Sequence, residues 1–200
     1  MRSALARLLA LLLVLGVAGS CAPPTPLSAQ PPDVEPLARR AVGGRFELEL
    51  LGVSDQKTCG HHPKFNDLCV SRLRSAVDAG LNALLGQFID RKRPGDGYRA
   101  SFQLLEFAQD AAFIGEGDFE HPKIVLRWRF ELKNSAGQRL LLLTDTTGEA
   151  FRDVRQASET LQGILEDMLE QIGQALNDAE WRASPAERRS RLTTRTAYPR

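Results

Sequence analysis

The sequence predicts a two-layer α+β domain: a mainly antiparallel, four-stranded sheet with two helices on one face, in the order β-α-β-β-β-α. Three observations predict it. Residues 123–133 alternate apolar and polar side chains without a break. Two other segments repeat apolar residues at three- and four-residue spacing, as amphipathic helices do. Helices and strands do not alternate regularly along the chain, which argues against a doubly wound parallel sheet.

The first strand is Phe46-Glu47-Leu48-Glu49-Leu50, a strict alternation with Phe46, Leu48 and Leu50 on one face. A loop carrying Cys59 and Cys69 follows. Leu73, Val77, Leu81, Leu84 and Phe88 then mark a helix over residues 66–89, closed by Arg91-Lys92-Arg93-Pro94-Gly95. Cations suit the negative end of the helix dipole, and Pro and Gly stop the chain from continuing. Residues 98–108 read as a strand with Tyr98, Ala100, Phe102 and Leu104 on one face, and Gly115-Glu116-Gly117-Asp118 as a loop.

The clearest strand comes next. Ile124, Leu126, Trp128, Phe130 and Leu132 point one way; Arg127, Arg129 and Glu131 point the other. Asn134-Ser135-Ala136-Gly137-Gln138 is a hairpin turn, and residues 139–147 return as the partner strand. Leu161, Ile164, Leu165, Met168, Leu169, Ile172 and Leu176 form one stripe on a long helix over residues 154–181.

The ends of the chain carry an address. Arg2 and Arg7 precede an apolar run over residues 8–18, too short to span a bilayer comfortably. This reads as a secretory signal peptide, residues 1–20. Its end, Val17-Ala18-Gly19-Ser20-Cys21, resembles the bacterial lipobox, in which small residues precede a cysteine that receives lipid. The expectation is a lipidated Cys21, a membrane anchor, and a place in the cell envelope, on the outer membrane and facing the periplasm. Residues 21–45, with six prolines among Ser, Thr and Gln, read as an extended tether. In polyproline form it would reach about 3 Å per residue. The domain occupies residues 46–181, and residues 182–200 read as a disordered basic tail.

Of 200 residues, 26 are Lys or Arg and 25 are Asp or Glu, yet the balance hides a segregation. Residues 46–181 carry a net charge of −7, and residues 182–200 carry six arginines against Glu187. Such a tail could bind anionic lipid headgroups or cell-wall polymers; a solvated tail that balances an acidic domain is the plainer reading. Charged residues make up 26% of the chain, which excludes a polytopic membrane protein.

Three cysteines exclude a disulfide-dense scaffold. With Cys21 lipidated, Cys59 and Cys69 remain as an even pair in an oxidising compartment, and a disulfide between them is favoured. The rival is zinc, held by those thiols with His61 and His62, at a spacing that matches no known finger or ribbon.

Catalytic motifs are absent from the sequence. His61, His62 and His121 do not form an HExxH pair, and neither a GxSxG elbow nor a P-loop occurs. His121 before Pro122 reads as a turn residue. Asp145 and Glu149 read as polar groups at a hairpin end rather than metal ligands, and Trp128 and Phe130 as core rather than a nucleic-acid stacking platform. No enzyme, cofactor, metal or nucleic-acid partner is expected.

The lipobox, the proline-rich tether and residues 98–176 together resemble periplasmic auxiliary lipoproteins. Within that stretch, residues 124–132, Gly137 and the helix from Ser158 carry the likeness. The nearest groups are the auxiliary lipoproteins of lipid-transport ABC systems and the lipoproteins of lipopolysaccharide assembly. The cysteine loop stands outside that likeness. The resemblance implies a non-catalytic accessory or docking subunit of an envelope transport or assembly complex. Arg99, Gln103, Arg127 and Arg129 are then the candidate interaction face, where the bland reading is the wet side of a sheet. The alternative is a lipoprotein that binds lipid or a small molecule in a cleft between helix and sheet.

Overall fold

The computed structural model describes residues 23–36, 41–114 and 119–178. In chain order the elements are β1 (Thr25–Ser28), β2 (Val42–Leu51), β3 (Thr58–His62), β4 (Phe65–Ser71) and α1 (Leu73–Phe88). There follow β5 (Ile89–Asp90), β6 (Asp96–Phe113), β7 (Glu120–Asn134), β8 (Arg139–Ala150), a 3-10 turn (Val154–Gln156) and α2 (Ala157–Asp178). No helix among the described residues is long and apolar enough to cross a membrane.

The class is α+β with two helices, but the sheet differs from the expected four antiparallel strands. Five strands lie in the order β5-β2-β6-β7-β8, and a second sheet has the order β1-β4-β3. Strands β6, β7 and β8 are antiparallel, whereas β2 runs parallel to β6, with Phe46 beside Tyr98 and Leu50 beside Phe102. The cause is α1. A helical crossover returns the chain to the edge it left, so the next strand must run the same way as β2.

The second sheet replaces what the sequence reads as loop and helix. Residues 66–71 belong to β4, and α1 begins only at Leu73. Cys59 and Cys69 are direct partners across the β3–β4 ladder, with Cα atoms 4.0 Å apart, and the two are joined as a disulfide. The start of α1 has no local side-chain cap, because Arg72 sits at φ 61°. Asp55 reaches in from the β2–β3 loop instead: it accepts from Ser75 N at 2.8 Å and Ser75 Oγ at 2.9 Å.

The proline-rich stretch is ordered onto the domain rather than free of it. Residues 25–28 pair in parallel with residues 68–71, and Leu27 and Ala29 are buried. Pro32 crosses α1 at Gly80, where a Cβ would come within 2.8 Å of Pro32 Cγ and 2.6 Å of Leu169 Cδ1. Gln87 Nε2 donates to Glu35 O from α1, and Gln162 Nε2 to Pro31 O from α2. The expected tether is therefore a strap across both helices as far as residue 36.

In the core, Phe102, Trp128 and Phe130 of the sheet are buried, as are Leu161, Ile164, Leu165 and Met168 of α2 and Leu81, Leu84, Leu85 and Phe88 of α1. Full burial of one such side chain contributes about 1.5–3 kcal/mol. Asp153 caps the turn before α2: its carboxylate accepts from Arg155 N, and Gln156 Oε1 accepts from Asp153 N. Residues 179–181, expected to end this helix, lie outside the described residues.

Strand β6 contains one extra residue. The β6–β7 register shifts between Leu104 and Glu106, which makes Leu105 a bulge. Before it, Phe102 and Leu104 face the core; after it, Phe107 and Gln109 pair with buried Leu126 and Ile124. The two sheets touch just beyond, where a Cβ on Gly60 would lie 2.7 Å from Gln109 N.

Two outcomes follow from these contacts. Gly60→Ala pushes a methyl group into the β6 backbone and should lower unfolding stability by about 2 kcal/mol in urea melts, at the usual cost of overpacking. The hydrogen bonds from Ser75 hold the Asp55 carboxyl below its ordinary value of 3.8. A depressed folded pKa stabilises above the unfolded pKa and is lost as pH falls through the folded one. The melting-temperature gap between Asp55→Ala and the wild type should therefore be widest at pH 7 and should close below pH 3.8.

Candidate interaction face

Alternation sets the outer face of the large sheet, because side chains on successive strand residues point to opposite sides. Across β2, β6, β7 and β8 the register brings Glu47, Arg99, Lys133 and Arg139 into one row. The next row is Glu49, Ser101, Glu131 and Leu142, and the third is Leu51, Gln103, Arg129 and Thr144. Past the bulge come Glu106, Arg127 and Thr146. Arg99, Gln103, Arg127 and Arg129 thus share one face.

Most charges here are taken up in pairs. Arg99 Nε lies 3.7 Å from Glu47 Oε2, and Arg127 Nη1 lies 3.3 Å from Glu106 Oε2. Glu131 bridges two cations, with Lys133 Nζ and Arg139 Nε each 2.7 Å from a carboxylate oxygen. The hydrogen bond from Lys133, then that from Arg139, holds the Glu131 carboxyl below its ordinary value, against the opposing effect of burial. The exposed pairs Glu47–Arg99 and Glu106–Arg127 contribute about 0.2–1 kcal/mol each, so they orient side chains more than they stabilise the sheet.

Arg129 is different. Among the described residues its side chain has no hydrogen bond or ion pair, and it is exposed near the middle of the face. Leu51, 42% exposed, and Leu142, 37% exposed, stand on the same side of the sheet, and Leu105, at the bulge, is 42% exposed. Sequence reading found the four polar positions and missed the three leucines. A signal for one of them was present: Leu104 and Leu105 adjoin in a strand that otherwise alternates, as a bulge requires.

The other candidates fall elsewhere. Cys21 and the basic tail, residues 182–200, lie outside the described residues. The Cys59 and Cys69 thiols are consumed by their mutual bond, which leaves no thiolates for zinc. His61 Nδ1 pairs with Asp67, and the His62 ring stacks on Phe65 with centroids 5.0 Å apart. No group of three metal-capable side chains forms among the described residues. His121 is not a turn residue but lies within β7 opposite Ala112. Asp145 and Glu149 lie within β8, opposite Trp128 and Ile124, rather than at a hairpin end.

A shallow hollow of about 490 Å³ on the outer face is lined by Glu47, Glu49, Arg99, Ser101 and Lys133, among others. A groove of about 390 Å³ on the helical side is lined by Asp33, Glu35, Glu166, Asp167 and Glu170 with Val34 and Leu169. Between helices and sheet, Phe102, Trp128, Phe130, Leu161, Ile164, Leu165 and Met168 are each at most 1% exposed.

No protein-family model matches the chain, and no curated protein matches it either. Among solved structures it is similar to a minor lipoprotein from Acinetobacter baumannii, at 15% identity and a TM-score of 0.41. That likeness covers 68% of this chain and 91% of the other. It is also similar to a Xanthomonas campestris protein of family DUF330, at 11% identity and a TM-score of 0.47, covering 86% and 97% of the two chains. At such scores neither likeness fixes a family or a function.

The disulfide closes a short loop across β3 and β4. By loop entropy, the double variant Cys59→Ala/Cys69→Ala should unfold about 2–3 kcal/mol more easily in denaturant titrations. Under reducing conditions the wild type should approach the variant.

Proposed function

We propose that this chain is a non-catalytic lipoprotein of the bacterial envelope, an accessory subunit that docks a transport or assembly complex through the outer face of its five-stranded sheet. The observation that carries this reading is the Arg129 guanidinium, exposed and unpartnered among the described residues, on a face that also exposes Leu51 in the same row and Leu142 in the next. Arginine is enriched at binding hot spots, and an interface core is more apolar than ordinary wet surface. The matching partner surface presents a carboxylate to Arg129 and apolar side chains to the leucines.

Other observations support the setting. The lipobox at Cys21 supplies an anchor, and the Cys59–Cys69 disulfide suits an oxidising compartment. An outer-membrane address facing the periplasm is the finer form of this reading. Anchoring raises the effective concentration near a membrane partner, so a modest interface suffices. The alternative, a lipid or small molecule held between helix and sheet, finds that space filled by side chains.

The test is photo-crosslinking in living cells from a benzoyl-phenylalanine placed at Gln103. A discrete envelope-protein adduct is expected from the wild type, at least tenfold weaker with Arg129→Glu and weaker with Cys21→Ala. An adduct indifferent to Arg129→Glu would remove the face from the account. A bound lipid recovered in place of a protein adduct would favour the ligand-binding alternative.

A further inference from the structure

Strand β8 forms one edge of the five-stranded sheet, and no described strand lies beyond it. Its bonds to β7 fix which backbone groups face outward. Phe151 N donates to Pro122 O at 3.0 Å, and hydrogen-bonded pairs recur at every second residue of an antiparallel ladder. Leu141, Leu143, Asp145, Thr147 and Glu149 therefore bond to β7. Leu142, Thr144, Thr146, Gly148 and Ala150 aim their N–H and C=O groups away from it. What Thr146 N meets is the Asp145 carboxylate of its own strand, at 2.7 Å.

Unpaired edges invite other strands, and folded chains usually blunt them. The other edges here are blunted. β5 is two residues long and runs into Arg91-Lys92-Arg93-Pro94. Beyond it, β2 carries Arg45, Glu47 and Glu49 at alternate positions and gives Leu50 O to Arg74. β1 contains Pro26, and β3 leans on β6 at Gly60. From Leu141 to Ala150, by contrast, β8 has no proline, lysine or bulge, and its outer-face positions hold Leu142, Thr144, Thr146 and Gly148. The ladder is open on that side to one more strand.

Charge on the inner side selects that strand. Asp145 and Glu149 share this side, four residues apart, exposed and in no ion pair among the described residues. Glu149 also borders a hollow of about 600 Å³ that Glu159 and Glu166 of α2 line together with Arg152. A second copy of the chain fits badly. Any twofold antiparallel register that joins at least three outward residues sets Asp145 opposite or diagonal to Asp145 or Glu149 of the other copy. Like charges so placed repel.

We infer that the β8 edge takes up an extended basic segment of another protein as an added strand, with Lys or Arg four residues apart facing Asp145 and Glu149. Main-chain bonds to the outward row supply the affinity, and the two carboxylates select the sequence. A C=O group of the segment replaces the Asp145 carboxylate at Thr146 N and leaves that carboxylate to the incoming cation. This surface goes beyond the Arg129 reading and does not depend on it.

The experiment uses the full chain in non-ionic detergent and the peptide acetyl-Thr-Lys-Val-Thr-Val-Lys-Thr-amide, which reads the same in both directions. Calorimetry should show saturable binding, at least tenfold tighter than that of the peptide with both lysines replaced by glutamate. Amide exchange, read residue by residue, should slow at Leu142, Thr144, Thr146 and Gly148 when the peptide binds. Thr146→Pro removes an outward donor but no bond to β7, so it should weaken binding at least tenfold. Asp145→Lys/Glu149→Lys should invert the preference between the two peptides, a result that misfolding would not give. No saturable binding, equal affinity for both peptides, or binding that leaves the four amides unchanged would overturn the inference. So would slow exchange at those amides in the free chain, which would mean that residues 179–200 or a second copy already cover the edge. The adduct expected from Gln103 stands or falls separately.

Discussion

The fold turns on one extra residue in the ladder between β6 and β7. Leu105 has no partner on β7, and its insertion reverses which side chains of β6 face inward. Without it, the alternation that buries Phe102 and Leu104 would carry Glu106, Ala108 and Asp110 into the core. With it, Glu106 stays outside beside Arg127, and Phe107 and Gln109 turn in beside Leu126 and Ile124. An unpaired buried charge costs far more than a local break in the ladder, so the bulge is the less costly arrangement. It lets an 18-residue strand extend past the helices to meet the second sheet at Gly60.

That extension carries a residual cost. Gln109 is 5% exposed, and its Oε1 has no hydrogen-bond partner among the described residues. The Trp128 indole nitrogen is likewise buried without an acceptor. A lost partner of this kind costs about 1–3 kcal/mol. Trp128 offsets it with ring area packed beside Phe102, their centroids 6.4 Å apart. Nothing comparable offsets Gln109, which lies where β3 leans on β6.

What the sequence made legible is what local periodicity determines. The alternation of β7 and the stripe on α2 correspond to elements of the structure, because each buries one face against a single layer. The shared face of Arg99, Gln103, Arg127 and Arg129 was legible for the same reason: all four positions avoid the bulge, so simple alternation keeps them in phase. The hairpin of β3 and β4 was not. Leu68 and Val70 are buried, and their strand pairs on its other side with β1, far from it in sequence, a pairing that no local pattern records. The strap over residues 25–36 was hidden differently. Its prolines suggest an extended tether, and an extended chain also fits a groove between two helices once Gly80 opens one. The parallel β2–β6 pair was illegible because a single crossover gives none of the repeated alternation that signals a parallel sheet.

The outer face is divided along its strands. In the rows nearest the β7–β8 turn, Arg99 lies by Glu47, and Glu131 takes up both Lys133 and Arg139, so these charges are spent on one another. One row further along, Arg129 has no side-chain partner among the described residues, with Leu51 in its row and Leu142 in the row beside it. A group binding in the paired rows would first have to displace an ion pair, whereas one binding at Arg129 would not. The proposed docking therefore draws its specificity from the middle of the face, and the charged rows act as its rim.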